Sequence, residues 1–120
     1  MRARTLQLVL LALVMIGTTV PLYADRRSDA KEQVEFGITM ANKGLWTEAT
    51  SRWEKAIEID GTYAAAWNNL GIAYEQQGKF EDANKAYNKA IQLEPNNSMI
   101  RQNYDLFREI YDRTKRRRDR

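Results

Sequence analysis

"WNNLGIAYEQQGKF", residues 67–80, decides the fold. Trp67, Leu70, Gly71 and Tyr74 stand at i, i+3, i+4 and i+7, which is one stripe of a helix with 3.6 residues per turn. Phe80, Ala83, Tyr87, Ala90 and Ile91 make a second stripe. Between them lies "QQGK", where Gly78 can take the left-handed conformation that ends a helix without steric cost. The stretch therefore predicts two helices joined by a tight turn. Pro95 in "EPNN" stops the second helix, because it disfavours helical geometry at Glu94 and has no N–H to donate.

The hairpin is repeated. With residues 30–63 set over residues 64–97, Ala30 and Ala64, Gly37 and Gly71, Ile38 and Ile72, Gly44 and Gly78, Ala49 and Ala83, Lys55 and Lys89, Ala56 and Ala90, and Ile57 and Ile91 coincide. Ordinary composition gives roughly two identities by chance over such a window. Trp46 aligns with Phe80 and Trp53 with Tyr87, so the period is 34 residues. The earlier unit ends at "DGTY", where Gly61 replaces the proline. After residue 97, "SMIRQNYDLFREIYDR" keeps Ile100, Tyr104, Phe107 and Tyr111 on one face, which predicts a fifth helix.

A small residue such as Gly71 or Ala83 lets two helices approach closely, while Trp67, Tyr74 and Tyr87 fill the space on either side. Each hairpin leaves an apolar face bare that the next must cover. Trp67, Leu70, Gly71, Tyr74, Ala83, Tyr87, Ala90 and Pro95, at a 34-residue spacing, resemble the tetratricopeptide repeat family. The first unit departs from the pattern: Gln33 stands where Trp67 does, Met40 where Tyr74 does and Gly61 where Pro95 does. Its first helix is expected to rest on Phe36, Gly37, Ala49, Trp53 and Ala56. The resemblance implies an all-α fold, a right-handed superhelical stack of antiparallel helix pairs. It divides the chain into unit 1 (30–63), unit 2 (64–97) and a capping helix (98–114), with a short linker (25–29) before them and a basic tail (115–120) after.

The resemblance also implies peptide binding on the hollow side of the stack, which the first helix of each pair lines. The expected groove residues are Lys31, Val34, Glu35, Ile38 and Asn42 in unit 1 and Ala65, Asn68, Asn69, Ile72 and Gln76 in unit 2. Gln102 and Asn103 follow in the capping helix, with Met99, Leu106 and Ile110 at matching places. Asn69 and Asn103 lie 34 residues apart, so their amides are expected to stand one above the other, suited to the backbone of an extended peptide. The family's scheme for gripping a terminal carboxylate uses several groove Lys or Arg residues. Only Lys31 and Arg101 are on offer here, so no carboxylate clamp is expected.

The chain has 19 Lys and Arg against 16 Asp and Glu, and neither Cys nor His. Disulfides, thiol chemistry, zinc–cysteine clusters and imidazole acid–base catalysis are excluded. No metal, cofactor or catalytic residue is expected, because the acids Glu81 and Asp82 are explained by the first turn of a helix, where the dipole favours them. Residues 25–112 carry 11 basic and 15 acidic side chains, a net −4, whereas the last eight, "RTKRRRDR", carry six basic and one acidic, a net +5. Such an end is either a solvated, frayed terminus or a weak contact with anionic lipid or an acidic partner; nucleic acid is disfavoured by the acidic body.

At the amino end, Arg2 and Arg4 precede the apolar run Leu8–Ile16, and Ala24 offers a cut before Asp25. That is the order of a secretory signal over residues 1–24, either cleaved or kept as an anchor. Export to a bacterial periplasm or beyond is the expectation. The functional expectation is a noncatalytic adaptor for a peptide or protein, with a self-assembling structural protomer as the alternative.

Overall fold

The computed structural model describes residues 20–120, with side chains from Asp25 onward. The described residues form five helices and no strand: α1 (Val20–Asn42), α2 (Trp46–Ile59), α3 (Ala64–Gln76), α4 (Phe80–Leu93) and α5 (Ser98–Arg118). The all-α stack of hairpins is present. α1 packs on α2 and α3 on α4, while α2 meets α3 and α5 covers α4.

Both hairpin turns use the same device. Gly44 and Gly78 have φ of 75° and 72°. The N–H of Leu45 reaches the Met40 carbonyl at 3.0 Å, and the N–H of Lys79 reaches that of Tyr74 at 2.8 Å. These are the bonds by which a left-handed residue just past a helix satisfies carbonyls the helix leaves free. The entry to α5 is set by Asn97, whose side-chain oxygen accepts from the N–H groups of Met99 and Ile100 at 3.1 and 3.2 Å.

Within each hairpin one large ring lies on one glycine. Trp53 sits over Gly37 and donates its indole N–H to the Val34 carbonyl at 3.0 Å. Tyr87 sits over Gly71 and donates its hydroxyl to Glu75 at 3.0 Å. Burial is the first cause raising the pKa of that phenol, with the Glu75 charge second, so it remains a neutral donor. Between hairpins, Leu70, Ala66 and Ala73 join Trp53, Ala49 and Ala56 in one core, against which Trp67 packs. Ile100 meets Ala64 and Ala90, and Phe107 meets Ala83 and Tyr87, so α5 supplies the third neighbour that two units lack.

Three expectations need correction. Residues 25–29 are not a linker, because α1 runs through them from Val20. The capping helix does not stop at residue 114 but continues to Arg118, so the basic tail is mostly helical instead of frayed. Phe36 is 46% exposed and does not support the core, since among the described residues no helix covers the place that Leu70 fills in unit 2; Val34 and Ala30 pack in the core of unit 1 instead. The Arg52 guanidinium caps its open ring at 4.4 Å. The export segment lies for the most part in residues 1–19, outside the described residues.

The helical stretch before unit 1 has a definite task. Arg27 pairs with Asp60, donates to Thr62 at 3.0 Å and lies 4.7 Å from the centre of the Tyr63 ring, while Arg26 donates to the Ile59 carbonyl at the end of α2. Burial alone would raise the Asp60 pKa, but the two bonds from Thr62 and the pairing with Arg27 outweigh it and hold the carboxyl below its usual value. A lowered carboxylate pKa gives stability that is present above the unfolded value, about 4, and is lost as pH falls through the folded value. We therefore expect Arg27→Ala to lower unfolding stability at pH 7 by about 1 kcal/mol, since Asp60 is buried but its partner Arg27 is exposed to solvent screening. Urea titrations repeated between pH 7 and pH 3 should show a shallower acid loss in the variant; an identical loss would mean that Asp60 owes its low pKa to Thr62 alone.

Candidate functional site

Of the first helices of the units, α3 touches both α1 and α5 and stands between them. Their side chains at matching register make the face that the repeat leaves open. Ile38, Ile72 and Leu106 recur at intervals of 34 residues on these three helices. Ile38 and Leu106 are exposed, Leu106 to 57%, and Ile72 is half-buried against the cluster of Ala83, Tyr87 and Phe107. They form an apolar line across the face. Lys31, Glu35, Asn42, Gln76 and Gln102 are exposed around it, and Ala65, Asn69 and Asn103 are half-buried.

Two residues expected to line this groove are not available to a ligand. Val34 is buried in the core of unit 1, because it fills the gap beside Trp53 whose indole bonds its carbonyl. Asn68 is only 2% exposed. The amides also pair otherwise than their spacing suggests. Asn103 donates to Asn68 at 3.2 Å, and Asn68 in turn lies 3.5 Å from the Asn69 oxygen, so Asn68 links Asn103 to Asn69. This chain ties α5 to α3 and uses part of the hydrogen-bonding capacity once assigned to a ligand. Asn69 itself remains half-buried.

Charge on this face is sparse. Lys31 is exposed, whereas Arg101 turns toward the Pro95 carbonyl at 3.4 Å. Among the described residues no group of three acids could hold a metal ion, and no buried side-chain polar atom lacks a partner. The phenols are engaged as well: Tyr74 donates to Glu54 at 2.9 Å and is pushed up to about 12, first by burial and then by that carboxylate.

A second open face belongs to unit 1. Phe36 and Met40 stand with Gln33, Arg52 and Lys55 around an open cavity of about 720 Å³. No sequence motif marks it. The available signal was position: Phe36 is the counterpart of Leu70, and among the described residues no hairpin stacks on it as unit 1 stacks on Leu70.

Comparison with known proteins agrees with this architecture. The family description "Tetratricopeptide repeat" matches residues 64–97, and "TPR repeat" matches residues 41–78. The chain is 27% identical over 74 residues to the tetratricopeptide repeat domain-containing protein PYG7, chloroplastic, of Arabidopsis thaliana, covering 62% of this chain and 25% of that one. It is 34% identical over 90 residues to the cytochrome c-type biogenesis protein CycH of Bradyrhizobium diazoefficiens, covering 74% of this chain and 24% of that one. The chain thus spans a quarter or less of the length of these relatives. In fold it is similar to the second TPR of Spaghetti (RPAP3) bound to the HSP90 peptide SRMEEVD, with a TM-score of 0.68, 22% identity, and coverage of 74% of this chain and 82% of that one. With the 34-residue period, the glycine-seated rings and the stacked hairpins in place, the chain belongs to the tetratricopeptide repeat family.

Proposed function

We propose that this protein is a noncatalytic adaptor whose α1–α3–α5 face holds a segment of a protein partner, and that it works in the bacterial envelope. The observation that carries the reading is the line Ile38, Ile72 and Leu106. Three aliphatic side chains in register on neighbouring helices, two of them exposed, favour an apolar occupant. The likeness to a repeat domain seen with a bound peptide supports the same reading. The groove differs in prospect from one that takes an acidic peptide, because among the described residues Lys31 alone offers a free cation on it. The half-buried Asn69 can bond the ligand backbone while the aliphatic line fixes side chains. The envelope location rests on the order of charge and apolarity in residues 1–24.

Capture from envelope extracts tests this. Partners crosslinked to the wild-type chain should be lost, by about tenfold or more in yield, from an Ile38→Asp, Asn69→Ala variant whose helical circular dichroism is unchanged, because an aspartate in an apolar contact must be desolvated. Undiminished capture of the same partners would remove the groove assignment.

The open cavity of unit 1 favours a second reading, a protomer that assembles with its own copies through the bare Phe36 and Met40 surface. Sedimentation equilibrium separates the two. A mass that rises with concentration and reverts with Phe36→Asp supports assembly, and a constant monomer mass removes it.

A further inference from the structure

The end of α5 departs from the repeat scheme. α5 is 21 residues long, against 13 or 14 for each of the three helices before it. At about 100° per residue, Leu106, Ile110, Arg113 and Arg117 fall on one line along the helix. Ile110, Arg113, Thr114 and Arg117 border one shallow cavity, so these side chains are neighbours in space. The line lies roughly a quarter-turn or more away from Ile100, Phe107 and Tyr111, which dock α5 on the body. Ile110 is 43% exposed.

The charge of this end is mostly uncompensated. Arg118 reaches back to Glu81 at 3.7 Å, and Arg113 lies 3.7 Å from Glu109 in an exposed pair. Lys115, Arg117 and Arg120 make no ion pair among the described residues. Residues 25–112, at net −4, are opposite in sign to the last eight, at net +5. A negatively charged surface therefore attracts the end of α5 and repels the remainder, which fixes an orientation.

We propose that the Leu106–Arg117 line of α5 is a docking surface for the anionic headgroup layer of a phospholipid bilayer. Leu106 and Ile110 enter the boundary below the phosphates, and Arg113 and Arg117 lie along the same line at the level of the phosphate oxygens. Helicity matters here: a frayed basic tail has charge without an apolar companion, whereas a helix places both on one side. A nucleic acid would satisfy the arginines but leave the two aliphatic side chains without an apolar partner, and this line has no aromatic ring on which a base could stack. The surface shares Leu106 and Ile110 with the expected groove line, so its test sets Arg113 and Arg117, which lie outside the groove, against the groove variant Ile38→Asp.

The full chain contains no cysteine, so Ile110→Cys gives one site for a nitrobenzoxadiazole label. Its emission should shift to the blue and brighten with vesicles of phosphatidylcholine containing one third phosphatidylglycerol, and should change little with phosphatidylcholine alone. Adding Arg113→Glu and Arg117→Glu should raise the lipid concentration at half-effect by about tenfold or more, with the helical circular dichroism retained. A label at Lys85→Cys, an exposed position on α4, should stay silent, and Ile38→Asp should leave the response of the Ile110→Cys label intact. No change at the Ile110→Cys label with anionic vesicles overturns the proposal. So does an equal response to neutral vesicles, or a response to duplex DNA or polyglutamate where vesicles give none.

Discussion

Replacing Phe107 with alanine is expected to cost about 3–5 kcal/mol and to release α5 from the stack. Phe107 is fully buried, its ring centre lies 5.1 Å from that of Tyr87 and 5.4 Å from that of Tyr111, and Ala83 closes the pocket. Truncation removes the transfer energy of the ring and leaves a cavity that helices anchored elsewhere can close only in part. For a small domain whose whole stability is about 5–15 kcal/mol, that is a large share. The effect also has a direction in space. Among the described residues α5 is the element covering the outer side of α4, so its departure bares Tyr87 and Ala83 to water. Leu106, one position earlier and 57% exposed, is the control: Leu106→Ala should change stability by less than about 0.5 kcal/mol. Urea unfolding of both variants, with limited proteolysis between residues 94 and 98, measures the contrast. Equal losses would mean that α5 is not held by Phe107.

Much of this arrangement was legible in the sequence, because repetition turns weak local signals into strong ones. A lone Gly–x–x–Tyr spacing is ambiguous, but Gly37 with Trp53 and Gly71 with Tyr87, offset by one period, specify the same contact twice. The turns at Gly44 and Gly78 were readable for the same reason. What the sequence hid lay where the repetition breaks. Phe36 occupies a core register in the pattern, yet burial needs a neighbour as well as a register, and none of the described helices supplies one. Residues 25–29 carry too many charges to read as a packed helix. Their helix is fixed by contacts to Ile59, Asp60 and Thr62 more than thirty residues away, which no local window contains.

The groove was legible in outline and less so in detail. The register of Ile38, Ile72 and Leu106 follows from the period alone. Whether an amide in that register faces solvent or a neighbouring amide depends on the tilt of α5 against α3, and the Asn103–Asn68 bond reports that tilt. Val34 and Asn68 share one register and are both buried, so this position of the first helix points into the seam between hairpins in both units.

Gly37→Ala and Gly71→Ala set two known effects against each other and should come out destabilising. Alanine in a helix interior is favoured over glycine by about 1 kcal/mol, so on helical preference alone both variants would be more stable. A methyl group at Gly37, however, would stand 2.3 Å from the indole nitrogen of Trp53 and 2.7 and 2.8 Å from two of its ring carbons. At Gly71 it would meet three ring carbons of Tyr87 at 2.8 Å. Neither ring is the free end of a flexible chain. Trp53 is tied through its N–H to the Val34 carbonyl, and Tyr87 is held between Gly71 and Phe107 with its hydroxyl on Glu75. Relief requires the hairpin to open by several tenths of an ångström, and overpacking of this kind costs about 1–3 kcal/mol. Retreat of the Trp53 indole also stretches a buried hydrogen bond worth about 1 kcal/mol. The net expectation is a loss of about 1–2 kcal/mol for each variant, larger at Gly37, and about 4 kcal/mol or more for Gly71→Val, whose branched side chain has no room on either side. Urea midpoints at constant slope give the sign directly. If Gly37→Ala and Gly71→Ala prove more stable than wild type, helical preference outweighs contact, and the seating of rings on glycines does not hold the hairpins together.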